Sequence, residues 1–146
     1  MLLVADMFEK LDEVDRIAER VIACAIEVHR TMGTGLLESI YEECMILECR
    51  RQNLQLEFEQ IVPVDYKGTR LLSRFKIDIL VERRLVLELK AVEAIRPAHK
   101  AQVISYLKLT GYPSGLLINF HEPTLKAGLH RLDHPDRYAM RKRLEI

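Results

Sequence analysis

The segment Phe75–Val92, FKIDILVERRLVLELKAV, narrows the folds open to this chain more than any other stretch. Apolar residues gather on both sides of a charged turn, which reads as two strands of an antiparallel hairpin. Charges nevertheless stand inside both strands. Asp78 lies between Ile77 and Ile79, and Glu88 and Lys90 flank Leu89. Carboxylates are poor strand formers, and a half-buried one needs a partner. A fold for this chain has to give those three charges something to bind.

Side chains alternate along a strand, so Glu88 and Lys90 share one face while Leu87 and Leu89 occupy the other. The same rule puts Asp78 with Lys76 and Leu80. A three-residue loop at Glu82–Arg84 sets Val81 opposite Leu85, Asp78 opposite Glu88 and Lys76 opposite Lys90. A two-residue loop would set Asp78 against Leu87 and separate the acids. Neither loop contains the glycine that marks its type, so the three-residue register rests on parity. It brings acid against acid and lysine against lysine, and directly opposed like charges are destabilising. A plain solvated face with diagonal pairing of Asp78 and Lys90 softens that conflict. A divalent cation removes more of it, because two carboxylates with Cβ atoms about 5 Å apart can share one hard ion. Magnesium suits such a site, completing its shell with water and phosphate. Lys90 would then orient an attacking water or stabilise charge developing on a phosphate. Two acids and a lysine so arranged suit hydrolysis of a phosphodiester.

Around the hairpin, Val14, Ile17, Ala18, Val21, Ala25 and Val28 recur at helical spacing, predicting a helix over 11–29 that stops near Gly33. A second helix is expected over 36–52. The pattern then changes to period two at Leu54, Leu56 and Phe58, and Pro63 marks an edge strand or a bulge. The Lys67-Gly68 turn starts a strand over 69–81, followed by one over 85–92. Pro97 opens a helix that Gly111 closes. GLLINF, 115–120, is apolar enough for a strand buried on both faces. The strand–helix–strand run of 85–120 has the length of a parallel, right-handed crossover. In the remainder, Leu125, Leu129 and Leu132 face a core from either a short helix or a strand. The reading is one α/β (α+β) domain over 1–146 with a mixed sheet, a core over 12–120 and a tail, 121–146, of open structure.

The 146 residues carry 22 basic and 22 acidic side chains, so no overall field draws in a polyanion and nucleic-acid contact has to rest on local patches. Candidates are Arg83 and Arg84 in the turn, then Arg96, Lys100 and Lys108, then Arg137, Arg141, Lys142 and Arg143 in the tail, which Asp133, Asp136 and Glu145 dilute. Cys24, Cys44 and Cys49 form no Cys-x-x-Cys and read as small buried hydrophobes of a reducing cytoplasm. His130 and His134 are four apart, but Pro135 follows and no third ligand stands near, so they do not make a zinc site. The first fifteen residues lack the make-up of a secretory signal, and no apolar run approaches the roughly 18–20 residues of a membrane span. A cytoplasmic protein without membrane contact is expected.

Three motifs add a resemblance. Asp78 followed by Glu88-Leu89-Lys90 resembles the signature of the PD-(D/E)XK nuclease superfamily. Gly35-Leu36-Leu37-Glu38-Ser39-Ile40-Tyr41 is similar to the Gly-x-x-Glu-x-x-Tyr signature of the GxxExxY proteins, and Gln102-Val103-Ile104-Ser105-Tyr106 to the Gln-x-x-x-Tyr motif of RecB-type nucleases. The likeness runs colinearly over 21–120. It implies a restriction-endonuclease-like αβββαβ core preceded by an additional N-terminal helix. It further implies Asp78, Glu88 and Glu38 as ligands of Mg2+ or Mn2+, the same three with Lys90 as the catalytic set, and Gln102, Tyr106, Tyr41 and His99 at the substrate. His99, Gln102 and Tyr106 do share one helical face at i, i+3 and i+7, and Glu38 and Tyr41 are helical neighbours. On ordinary grounds Glu38 serves the helix dipole, and Gln102 and Tyr106 are rim residues.

Three functions follow. The first is a metal-dependent nuclease, with DNA favoured over RNA. The second is a nucleic-acid-binding module that does not cut. The third is an interaction protein, a homodimer or a subunit whose partner supplies specificity, since related folds host varied tasks.

Overall fold

The computed structural model describes residues 4–137 and 139, with side chains from Glu13 onward. The order of elements is α1 (Val4–Met32), α2 (Glu38–Arg51), β1 (Leu56–Tyr66), β2 (Thr69–Val81), β3 (Leu85–Lys90), α3 (Pro97–Thr110), β4 (Ser114–Asn119), α4 (Leu125–Gly128) and β5 (Leu129–Asp133). One sheet runs in the order β1-β2-β3-β4-β5. Only the β3–β4 pair is parallel, and α3 makes the crossover between them. This is the mixed α/β architecture expected from the pattern.

Burial follows residue chemistry. In α1, Val14, Ile17, Ala18, Val21, Ala25 and Val28 all lie in the core. With Tyr41, Met45 and Cys49 of α2 they pack on Ile79, Val81, Leu85, Leu87 and Leu89. A second cluster joins Tyr106 and Leu107 of α3 to Val62, Ile77, Leu80 and Val86. β3 is thus covered on both faces, odd residues by α1 and α2 and Val86 by α3, and β4 is buried at every position. A strand covered on both faces needs an apolar run, which Leu85–Leu87 and Gly115–Ile118 supply.

Three element ends differ from the sequence pattern. α1 runs well past the amphipathic stretch, because neither glycine nor proline interrupts the chain before Gly33, which ends the helix at φ 71°. β3 stops at Lys90 rather than 92, where the Asn119 side chain takes over the backbone groups of Val92. The tail adds both a helical turn and a fifth strand, β5, antiparallel to β4. Pro63 does lie in an edge strand, beside a register shift between Pro63 and Asp65.

Gly128 shows how closely the tail is packed. A Cβ there would stand 2.1 Å from the Asn119 carbonyl oxygen. Backbone cannot give way as a flexible side chain does, so Gly128→Ala should cost about 1–3 kcal/mol of stability, read from urea unfolding. Unchanged stability would mean that α4 is not seated on the end of β4.

Candidate active site

The hairpin takes the three-residue register, with Val81 opposite Leu85, but pairing ends at Ile79 and Leu87. The expected Asp78–Glu88 and Lys76–Lys90 ladder pairs are not formed. The reason lies in β1 and β2. Ladder pairs pass from Phe58 with Ile79 to Gln60 with Ile77, skipping Glu59 and Asp78. Glu59 has φ 52°, outside the extended region. Across this irregularity Ile77 packs in the α3 cluster while Ile79 packs in the α1–α2 cluster. Alternation therefore slips at Asp78, and Lys76 and Leu80 no longer share a face. In place of a ladder bond, Asp78 Oδ2 accepts the Leu89 N–H at 3.0 Å.

Glu88 and Lys90 lie on the α3 side of β3. Glu88 is only 5% exposed. Its Oε1 is 3.4 Å from Lys90 Nζ, while its Oε2 is buried with no hydrogen-bond partner among the described residues. Burial first, then the Asp78 charge, push the Glu88 carboxyl up to about 7, against the pull of Lys90. Burial also raises Asp78, opposed by the Leu89 N–H and Lys90. Asp78, Glu88 and the nearby Glu38 against Lys90 and Lys76 leave negative charge under-compensated, which is the condition a cation relieves.

Facing them on α3, Tyr106 is nearly buried and stacks on Phe75 with ring centroids 4.3 Å apart. Burial and then the charges of Glu88 and Asp78 push its hydroxyl up to about 12, so it remains a donor at neutral pH. Gln102 is exposed and its side chain bonds Tyr106. His99 sits one turn earlier, where its Nδ1 accepts the Arg96 N–H at 2.9 Å and caps α3.

The residues expected from α2 have other partners. Glu38, at the helix start, is exposed and its Oε1 accepts the Ala91 N–H at 3.2 Å. It is close enough to raise both Asp78 and Glu88. Among the described residues, however, no three His, Cys, Asp or Glu side chains are grouped to hold one ion. Through Oε1, Glu38 latches α2 to the chain just past Lys90. Tyr41 is fully buried, stacked on Phe120 at 4.5 Å, and its hydroxyl donates to the Gly33 carbonyl at 2.6 Å. It braces the turn before α2 and has no surface to offer a substrate, a correction to its expected place.

Two residues at the site escaped the sequence reading. Glu42, one turn after Glu38, is raised by burial and then by the charge of Asp78. Asn119 is fully buried beside Lys90 in the β3–β4 register. Its Nδ2 donates to the Val92 carbonyl at 2.8 Å, and its Oδ1 accepts the Val92 N–H at 3.1 Å. A lone amide in the apolar run SGLLINF was the available signal for it.

Several proposed basic patches are already paired. Arg83 meets Glu57 at 2.9 Å and Arg84 meets Glu13 at 3.1 Å. Arg137 is buried against Asp15 and Asp133. Arg96, Lys100 and Lys108 are exposed, and Arg141, Lys142, Arg143 and Glu145 lie outside the described residues.

The model of the PD-(D/E)XK nuclease superfamily matches residues 15–132. The chain belongs to that superfamily. Members are generally nucleases, which use divalent metals on nucleic acid. Among solved structures, "Crystal structure of SSO0001" is similar with a TM-score of 0.52 at 17% identity. That alignment covers 74% of this chain and 56% of the other, and at this identity it speaks to a shared fold alone. No curated protein matches the chain. No described helix is long and apolar enough to cross a membrane.

Proposed function

We propose that this superfamily member is a metal-dependent DNA nuclease of the GxxExxY type, with Asp78, Glu88 and Lys90 as its hydrolytic centre. The observation that carries the reading is the buried Glu88 Oε2, an acceptor with no donor among the described residues, beside a second carboxylate. A buried unsatisfied acceptor is costly, and a hard cation suits an all-oxygen pair. Asp78 and Glu88 would hold Mg2+ or Mn2+. When bound, the ion supplies polarisation of the phosphate and neutralises charge on it.

The chain's own groups do the rest. Lys90 brings a positive charge to the point where negative charge grows on the phosphate. Glu88 releases its proton near neutrality, so cation affinity rises with pH through that range. Tyr106 and the exposed amide of Gln102 offer donors to the sugar–phosphate backbone. Glu38 and Asn119, gripping Ala91 and Val92, hold the strand end that carries Lys90.

Labelled single-stranded, duplex and branched DNA, with RNA in parallel, should be cut in magnesium or manganese and left intact in chelator, DNA faster than RNA. The engagement of Glu38 by Ala91 favours a second reading, a binding module that does not cut. Metal-independent binding with no cleavage of any substrate would establish that alternative.

A further inference from the structure

The distal half of the β1–β2 hairpin leaves the sheet. β3 pairs with β2 only at Ile79–Val81, and every residue from Asp65 to Arg74 is exposed. This two-stranded ribbon carries Lys67, Arg70, Arg74 and Lys76 against the single acid Asp65. Its charge over 61–76 is therefore +3, in a chain whose total is zero. Lys76 stands at the ribbon's base, two residues before Asp78. Arg74 and Arg70 follow two and six residues further towards the tip. The register shift leaves Leu71, Leu72 and Ser73 opposite Val64 alone, and Leu72 projects fully into solvent.

We infer that this ribbon is a duplex-DNA-binding arm that enters the major groove and leads the substrate to the hydrolytic centre. The inference rests on the nuclease reading only for what happens at Asp78. A major groove about 12 Å wide admits a two-stranded ribbon. From Arg70 to Asp78 the arm is on the order of 25 Å long, at about 3.4 Å per residue. That covers roughly seven base pairs, at about 3.4 Å each. The basic side chains meet phosphates, and Leu72 meets base edges, where apolar groups contact the thymine methyl. Arg70 is tied to Asp65 and Lys76 to Glu59 at 3.7 Å, but all four side chains are at least half exposed, and such pairs yield readily to a phosphate. Duplex RNA does not fit, because its major groove is deep and narrow. A second copy of the chain is disfavoured as occupant, since two +3 ribbons repel.

The test is fluorescence anisotropy with the full chain and a 20-base-pair duplex (about two helical turns), in chelator so that nothing is cut, over a salt series. Arg70→Ala with Arg74→Ala should weaken binding and reduce the slope of log Kd against log salt by about 1 per contact. Arg51→Ala with Lys126→Ala, the same charge removed elsewhere, should change neither to that extent. Equal effects of the two pairs would overturn the arm. So would a dimer, seen by light scattering, that Leu72→Asp splits without altering DNA affinity. Adding metal separates the two ideas. Ribbon-dependent binding by a wild type that never cuts keeps the arm and removes the nuclease. Cutting that needs Lys90 but not the ribbon does the reverse.

Discussion

Lys90→Met should lower metal-dependent cutting by about a hundred- to a thousandfold, the range for removing one preorganised charge from a transition state. Methionine keeps most of the length and apolar stem of lysine, and only 19% of the Lys90 side chain is exposed, so packing is largely preserved. What disappears is the ammonium 3.4 Å from Glu88 Oε1. Because that ammonium pulls the Glu88 carboxyl down, its loss moves the carboxyl further up. Residual activity should then appear at higher pH than in the wild type. Single-turnover cleavage against pH, with melting as a check on folding, measures both effects. An undiminished rate in a folded variant would remove Lys90 from the reaction and with it the hydrolytic centre.

Glu88→Gln should make the metal-free protein more stable at pH 8 while abolishing uptake of magnesium or manganese. The carboxyl lies at about 7 in the folded chain against an ordinary 4.5. Below about pH 4.5 it is protonated in both states and its contribution is intact. Between there and about 7 the unfolded chain ionises first, so stability falls as pH rises, and above 7 the deficit stays constant. The difference corresponds to roughly 3 kcal/mol. Glutamine keeps the shape without the charge, so the variant should lack this decline. Urea unfolding at pH 5 and pH 8 in chelator reads the first effect, and calorimetric titration of the ions reads the second. A variant less stable than wild type at pH 8, or one that still takes up metal, would show that the buried carboxylate is not held for a cation. Added magnesium should recover stability in the wild type alone, by preferential binding to the folded state. A residue that weakens the fold yet serves the reaction is a familiar trade-off at functional sites.

Much of the architecture was legible in the order of residues, because periodicity reports directly on which face is buried. The helical spacing in α1, the period-two run into β1, the Lys67-Gly68 turn, Pro97 and Gly111 around α3, and the unbroken apolar run of β4 each mark an element found in place. The parallel pairing of β3 with β4 followed from the length of their connection. Strand parity, a local rule, likewise singled out Asp78, Glu88 and Lys90 before any coordinates, while Gln102 and Tyr106 came from the resemblance.

Local rules failed where two distant segments had to agree. Parity placed Asp78 opposite Glu88 in a ladder, yet Glu59 on a neighbouring strand leaves the extended region and breaks the alternation, sending the Asp78 carboxylate to the Leu89 N–H. The resemblance made Glu38 a ligand and Tyr41 a contact, but Glu38 Oε1 accepts from Ala91 and the Tyr41 hydroxyl donates to Gly33. The ribbon's charge is plain in the sequence, while its projection is not, because it depends on where β3 stops pairing. The chain by itself determined which elements form and which chemical groups they carry. Only the tertiary structure decided which oxygens stay unpaired and which surfaces stay uncovered, because hydrogen bonding and burial are settled by whatever neighbour the rest of the fold delivers.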